Sequence, residues 1–89
     1  MEKQWMLYII ECADGTLYTG ITDNIERRLS AHGAGKGAKY TRGRGPFVLR
    51  YLEKCESYSA ALRREIAIKK MRKKEKQLIC EAFRLTGGN

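Results

Sequence analysis

Two short apolar runs open the chain. Trp5 to Cys12 is dense in aromatic and β-branched residues, and Thr16 to Ile21 repeats the pattern after a polar break. Such runs bounded by turn residues predict strands, and Asp14-Gly15 between them predicts a hairpin. Loop length then decides which side chains meet, because successive residues of a strand point to opposite faces. A two-residue loop would put Tyr8 and Tyr18 on opposite faces. A three-residue loop, Ala13-Asp14-Gly15 with Gly15 in the left-handed position, pairs Ile10 with Tyr18 and Tyr8 with Gly20. Tyr8, Ile10, Tyr18 and Gly20 then share one face, and Leu7, Ile9, Leu17 and Ile21 the other. The second set is uniformly aliphatic, as a core face should be, which favours the three-residue loop.

After the hairpin the apolar period lengthens. Asp23 followed by Glu26 has the spacing of a capping box, so a helix should start near Asn24, run through Ile25, Leu29 and His32, and stop at Gly33. Arg28 and His32, four residues apart, face the same way beside the apolar stripe. Phe47 to Cys55 alternates as a third strand. Ser57 or Ser59 should cap a helix reaching about Met71. Its apolar arc is Tyr58, Ala61, Leu62, Ile66 and Ile68, and Glu65 falls near the middle of that arc. A carboxylate there has to be paired, protonated or metal-bound, because an isolated buried charge is very costly. Lys69, one turn on, offers a plain ion pair. A last amphipathic helix carries Leu78, Ile79, Ala82 and Phe83, and Gly87-Gly88 ends it. The expected fold is therefore one α+β domain over residues 1–89, a three-stranded antiparallel sheet flanked by helices in the order β-β-α-β-α-α.

Charge adds a partner to this picture. The net charge is +8, and it is unevenly placed. Residues 1–32 hold three basic and five acidic side chains, whereas residues 33–89 hold fifteen basic and five acidic. A basic half of this kind suggests a polyanion, nucleic acid before an acidic membrane. Residues 33–46 contain five glycines, four basic residues and no acidic one. Their glycines permit close backbone approach, and Lys36, Lys39, Arg42 and Arg44 would contact phosphates around Tyr40. The order of a P-loop is absent. The basic run from Arg72 to Lys76 is a solvated helix face or an extension of the same grip.

Cysteine and histidine narrow the chemistry. Cysteines stand at 12, 55 and 80, and there is a single histidine. An odd, widely spaced set fits neither a disulfide framework nor a zinc site, so a metal would be held by carboxylate and water, which favours magnesium or manganese. No run approaches the ~18 apolar residues of a membrane span and no leader pattern opens the chain, so the cytoplasm is the expected location.

Tyr8, Tyr18-Thr19-Gly20, Arg28, His32 and Glu65, in this order on these elements, resemble the GIY-YIG nuclease superfamily over nearly the whole chain. Met6-Leu7-Tyr8 stands at the first signature and Tyr18-Thr19-Gly20 at the second. Glu26-Arg27-Arg28-Leu29 with His32 matches the family's arginine and histidine positions, and Glu65 within Leu62-Arg63-Arg64-Glu65 its metal-binding glutamate. Gly37-Ala38-Lys39 and the segment from Thr41 to Pro46 resemble the small single-domain bacterial branch and the catalytic subunit of the eukaryotic enzyme that resolves branched DNA. Three departures stand out: Met6 replaces the first glycine, Ile21 stands where excision-repair relatives often carry lysine, and the only asparagines are Asn24 and Asn89. The resemblance implies an endonuclease that hydrolyses phosphodiester bonds in branched or single-stranded DNA with one magnesium or manganese ion on Glu65. Arg28 would clamp the scissile phosphate. Tyr18 ranks first as the base, with Tyr8 and His32 as supporting or competing groups. A non-catalytic nucleic-acid-binding module on the same scaffold is the rival, and a protein partner for targeting is compatible with both.

Overall fold

A computed structural model describes residues 3–87. Its hairpin joins β1 (Trp5–Glu11) to β2 (Leu17–Thr22). Cys12 N–H donates to Thr16 O at 2.8 Å and Gly15 N–H to Cys12 O at 3.0 Å, which closes a loop of Ala13, Asp14 and Gly15. Gly15 has φ +86°, a conformation that side-chain-bearing residues rarely adopt. Asp14 Oδ1 accepts from both the Thr16 amide and hydroxyl, at 3.1 and 2.6 Å, and stiffens the turn. The resulting register pairs Tyr8 with Gly20 and Ile10 with Tyr18, as the pattern predicted.

The third strand, β3 (Val48–Cys55), pairs antiparallel with the other side of β1, giving the order β2-β1-β3. Central position explains the unbroken apolar run of β1: Leu7, Tyr8, Ile9 and Ile10 are all fully buried, two on each face. Ile9 pairs with Tyr51 but Ile10 with Leu49, so Arg50 is an extra residue bulged out of β3. Its guanidinium reaches Glu11, with Nε–Oε1 at 2.7 Å.

Helices α1 (Ile25–Gly33), α2 (Tyr58–Lys69) and α3 (Lys73–Leu85) complete the predicted order, with a 3-10 turn at Lys39–Thr41 in the basic loop. Two helix ends differ from expectation. The α1 cap is Asn24, whose side chain accepts from Arg27 N–H at 3.0 Å, while Asp23 turns outward to Lys3 and Arg27. Gly33 is the last helical residue, and the left-handed glycine is Gly35, φ +76°. Lys36 N–H bonds Ala31 O and Gly35 N–H bonds His32 O, the paired bonds of a Schellman end. At α2, Ser57 is the cap, accepting from Ala60 N–H at 3.0 Å.

The odd-numbered face of the hairpin, with Leu7 and Ile9, carries the core. Ala61 and Ile68 of α2 and Cys80 of α3 pack there with Cys55. The apolar arc of α2 is narrower than its sequence suggests, since Tyr58 and Ile66 stay 50% and 55% exposed; the Tyr58 ring instead lies on Trp5, centroids 4.7 Å apart. Thr19 also sits on this face, opposite Ile9 and 3% exposed, and its hydroxyl has no hydrogen-bond partner. Among the described residues no helix is long and apolar enough to cross a membrane.

Candidate active site

The even-numbered face of the hairpin meets α1 and the basic loop. Tyr8 lies flat across β2 because its partner there is a glycine: a Cβ on Gly20 would sit 2.5 Å from the Tyr8 oxygen and 2.7 Å from Cζ. One helical turn separates Arg28 from His32, and both reach the Tyr8 hydroxyl. Tyr8 Oη lies 2.8 Å from His32 Nε2 and accepts from Arg28 Nε at 3.2 Å. On its other side His32 Nδ1 lies 2.8 Å from Thr41 Oγ1, and the Thr41 hydroxyl donates to Ala38 O at 2.9 Å.

Counting protons fixes the direction of this chain. The one hydroxyl proton of Thr41 is used on the Ala38 carbonyl, so Thr41 can only accept from His32, and Nδ1 carries the imidazole proton. Burial, and then the Arg28 charge, push the His32 pKa down, so the ring is neutral and Nε2 is an acceptor. Tyr8 therefore donates to Nε2. Burial, the largest influence, holds the Tyr8 hydroxyl above its ordinary range, although the hydrogen bond and charge of Arg28 pull the other way. Arg28 is held firmly charged, first by its bond to Tyr8. The ordinary values, 10.0 and 6.5, already place full proton transfer from Tyr8 to His32 about 5 kcal/mol uphill at ~1.36 kcal/mol per unit, and both shifts widen that gap. The resting pair is neutral phenol and neutral imidazole.

His32 is 1% exposed. The rings of Tyr18, Phe47 and Tyr8 surround it at centroid distances of 5.4, 5.8 and 5.9 Å. Gly37 closes the remaining side, where a Cβ would come within 2.7 Å of ring atoms. Phe47, expected to start β3, belongs to this enclosure instead. Tyr18 is half-buried and interacts with the Arg28 guanidinium, helping to hold it charged. Its ring stacks on Tyr40, 5.9 Å between centroids and 25° between planes, and Lys69 Nζ lies 5.9 Å from its centroid.

Glu65 arrives from α2 with its side chain 19% exposed, near enough for its charge to raise Tyr8 further. Lys69 Nζ is 3.4 Å from its Oε2. Among the described residues no three His, Cys, Asp or Glu side chains gather as a metal cage. One partly exposed carboxylate suits a magnesium or manganese ion that keeps water and takes up phosphate oxygens.

The basic loop divides in two. Lys36, Lys39 and Arg42 are exposed and in no ion pair among the described residues. Arg44 is different: it pairs with Asp14 of the hairpin turn, lies 4.9 Å over the Tyr40 ring, and accepts at its carbonyl from Ala13 N–H at 2.7 Å. The structure thus brings Tyr8, Tyr18, Arg28, His32 and Glu65 into one corner and leaves three of the four loop cations exposed. Thr41 was missed by the sequence reading. Its signal was faint: Tyr40 and Thr41 are the only loop side chains that are neither glycine, alanine, proline nor basic.

The family model described as the GIY-YIG catalytic domain matches residues 4–78. A UPF0213 protein of Syntrophus aciditrophicus is 56% identical over 81 residues, covering 89% of this chain and 92% of that one. A UPF0213 protein of Halobacterium salinarum is 51% identical over 73 residues, covering 82% and 95%. Two solution structures share the fold. A UPF0213 protein from Bacillus halodurans has a TM-score of 0.58 at 42% identity, covering 89% of this chain and 84% of that one. An E. faecalis protein has a TM-score of 0.64 at 40% identity, covering 94% and 90%.

Proposed function

The chain belongs to the GIY-YIG family, a nuclease family whose substrates are nucleic acids, and from that premise we propose that it is a metal-dependent endonuclease hydrolysing phosphodiester bonds in DNA. The observation that carries this reading is the Tyr8 hydroxyl, bonded at once to an acceptor, His32 Nε2 at 2.8 Å, and to a cation, Arg28 at 3.2 Å. A hydroxyl so placed relays a proton. The attacking water gives its proton to the Tyr8 oxygen as the Tyr8 proton passes to His32 Nε2, so no standing phenolate is needed. The water oxygen bonds to phosphorus, the bond to the leaving oxygen breaks, and that oxygen takes a proton from solvent. Arg28 covers the Tyr8 oxygen until it turns onto a phosphate, where its charge stabilises the transition state. Tyr18, nearer the surface, orients the water.

Glu65 would hold one magnesium or manganese ion, with water and phosphate oxygens as the other ligands. Bound there, the ion supplies Lewis-acid charge to the phosphoryl oxygens. The substrate would be branched or single-stranded DNA, with targeting by a protein partner. The Glu65–Lys69 ion pair at 3.4 Å favours a second reading, because it satisfies the carboxylate without metal as a binding-only module would.

Cleavage of single-stranded, duplex and branched DNA with magnesium, manganese or chelator separates the two. Tyr8→Phe and His32→Ala should each slow cleavage by about 10²–10⁴-fold, the usual worth of a general base. Tyr18→Phe should cost less. Full loss in Tyr18→Phe with activity kept in Tyr8→Phe would make Tyr18 the base, and metal-dependent cleavage surviving in Glu65→Ala would remove the metal from that residue. Binding with no cleavage under any condition would establish the module.

A further inference from the structure

A cavity of about 360 Å³ opens beside Glu65, lined by Leu17, Tyr18, Thr19, Tyr40, Lys69 and Lys76. Four separate elements make it: β2, the 3-10 turn of the basic loop, the end of α2 and the first turn of α3. Its chemistry is one-sided. Tyr18 and Tyr40 stack on one another, and Tyr40 keeps 49% of its surface exposed. Lys69 lies against the Tyr18 ring and Arg44 over the Tyr40 ring, so two cations bracket the aromatic pair. Lys76 is half-buried, unlike the exposed Lys73 and Lys74 beside it, and makes no ion pair among the described residues. No carboxylate lines the cavity.

A half-buried lysine without an anion, next to exposed aromatic and guanidinium planes, matches what a nucleotide of a bound strand requires: a cation for its phosphate and a π surface for its base. Lys69 links this place to the candidate metal ligand, since its Nζ is 3.4 Å from Glu65 Oε2. We infer that this cavity is a nucleotide subsite adjoining the scissile phosphate, with Lys76 and Lys69 on the phosphate and the Tyr40–Arg44 surface under the base. The inference rests on the nuclease reading and adds to it a base-stacking role for Tyr40 and Arg44 and phosphate contacts from Lys69 and Lys76. It also gives the half-buried end of the Arg72–Lys76 run a partner other than water.

The test is fluorescence anisotropy in chelator, where nothing is cut, on a thymidine strand of about a dozen nucleotides and on an abasic strand of equal length. Tyr40→Leu should weaken the thymidine strand about tenfold, the ordinary worth of one stacked base, and leave the abasic strand within about twofold. Lys76→Gln should weaken both alike and lower the slope of log K against log salt by about 0.7, one phosphate contact on a single strand. Equal weakening of both strands by Tyr40→Leu, or none, overturns the base site, because the ring then only props the loop. An unchanged slope in Lys76→Gln overturns the phosphate site. Tyr40→Phe, which keeps the ring, should bind like the parent. Failure of the nuclease reading shows elsewhere, as absence of cleavage by the unmodified protein with metal, and leaves these binding results standing.

Discussion

The two faces of this small sheet bury hydroxyl groups by opposite rules. On the α1 face, Tyr8, His32 and Thr41 are all buried, and each hydroxyl or ring nitrogen has a partner, ending at the Ala38 carbonyl. On the α2 face, Thr19 is equally buried and its hydroxyl has none. A buried hydroxyl bonded on both sides costs little, whereas an unpaired one forfeits its hydration, worth about 1–3 kcal/mol. One face is therefore built around its polar groups and the other leaves one unpaired. On the first face, position is set by bonds with direction and not by packing alone.

Substitutions on each face should break or sharpen this contrast. The largest effect is expected at Gly37, where a Cβ would overlap the His32 ring. Gly37→Ala should cost about 2–3 kcal/mol in chemical denaturation, in the range of overpacking a filled site, and loosen His32 as seen in its ring NMR signals. Thr41→Val comes next. It keeps the shape and removes the acceptor, stranding a buried Nδ1–H, so a loss of about 1–3 kcal/mol is expected; loss of a few tenths would mean that water replaces the hydroxyl.

The same chain sets a pH dependence. His32 has its pKa lowered in the folded state, so on acidification the unfolded chain takes up the proton first. Stability from this group is complete above the ordinary 6.5 and is lost as pH falls from there through the depressed value. Denaturation midpoints between pH 7 and 5 should fall in the parent, and His32→Gln should flatten that part of the profile. The smallest effect, opposite in sign, is expected across the sheet. Thr19→Val replaces an unpaired hydroxyl by a methyl and should stabilise by about 1 kcal/mol, read as a higher midpoint at unchanged slope; destabilisation would reveal a partner for that hydroxyl.

How far the sequence reaches follows the same division. Loop parity at Gly15 and the alternation around it placed Tyr8 against Gly20 and put both tyrosines on one face, because strand geometry transmits register without tertiary help. Helical spacing put Arg28 and His32 on one side of α1, and the family resemblance marked them as site residues. The α1 cap was misplaced by one residue because Asp23 and Asn24 are both capping types, and only the outward ion pairs of Asp23 decide between them. Thr41 was not legible because its bond to His32 crosses an irregular loop with no period to read. Arg44 was read as a phosphate contact, and its pairing with Asp14, thirty positions away in the chain, lies beyond any local rule.

That pairing has a mechanical consequence. The loop following α1 is anchored three times: at its start by the Lys36 and Gly35 amides, in its middle by Thr41 on His32, and at its end by Arg44 on Ala13 and Asp14. Four glycines in such a stretch, Gly35, Gly37, Gly43 and Gly45, would ordinarily make a slack tether, with much backbone freedom to lose on folding. Here folding has already removed most of that freedom. Lys36, Lys39 and Arg42 are carried on short spans between fixed points, so their charges form an array whose shape is set by the fold.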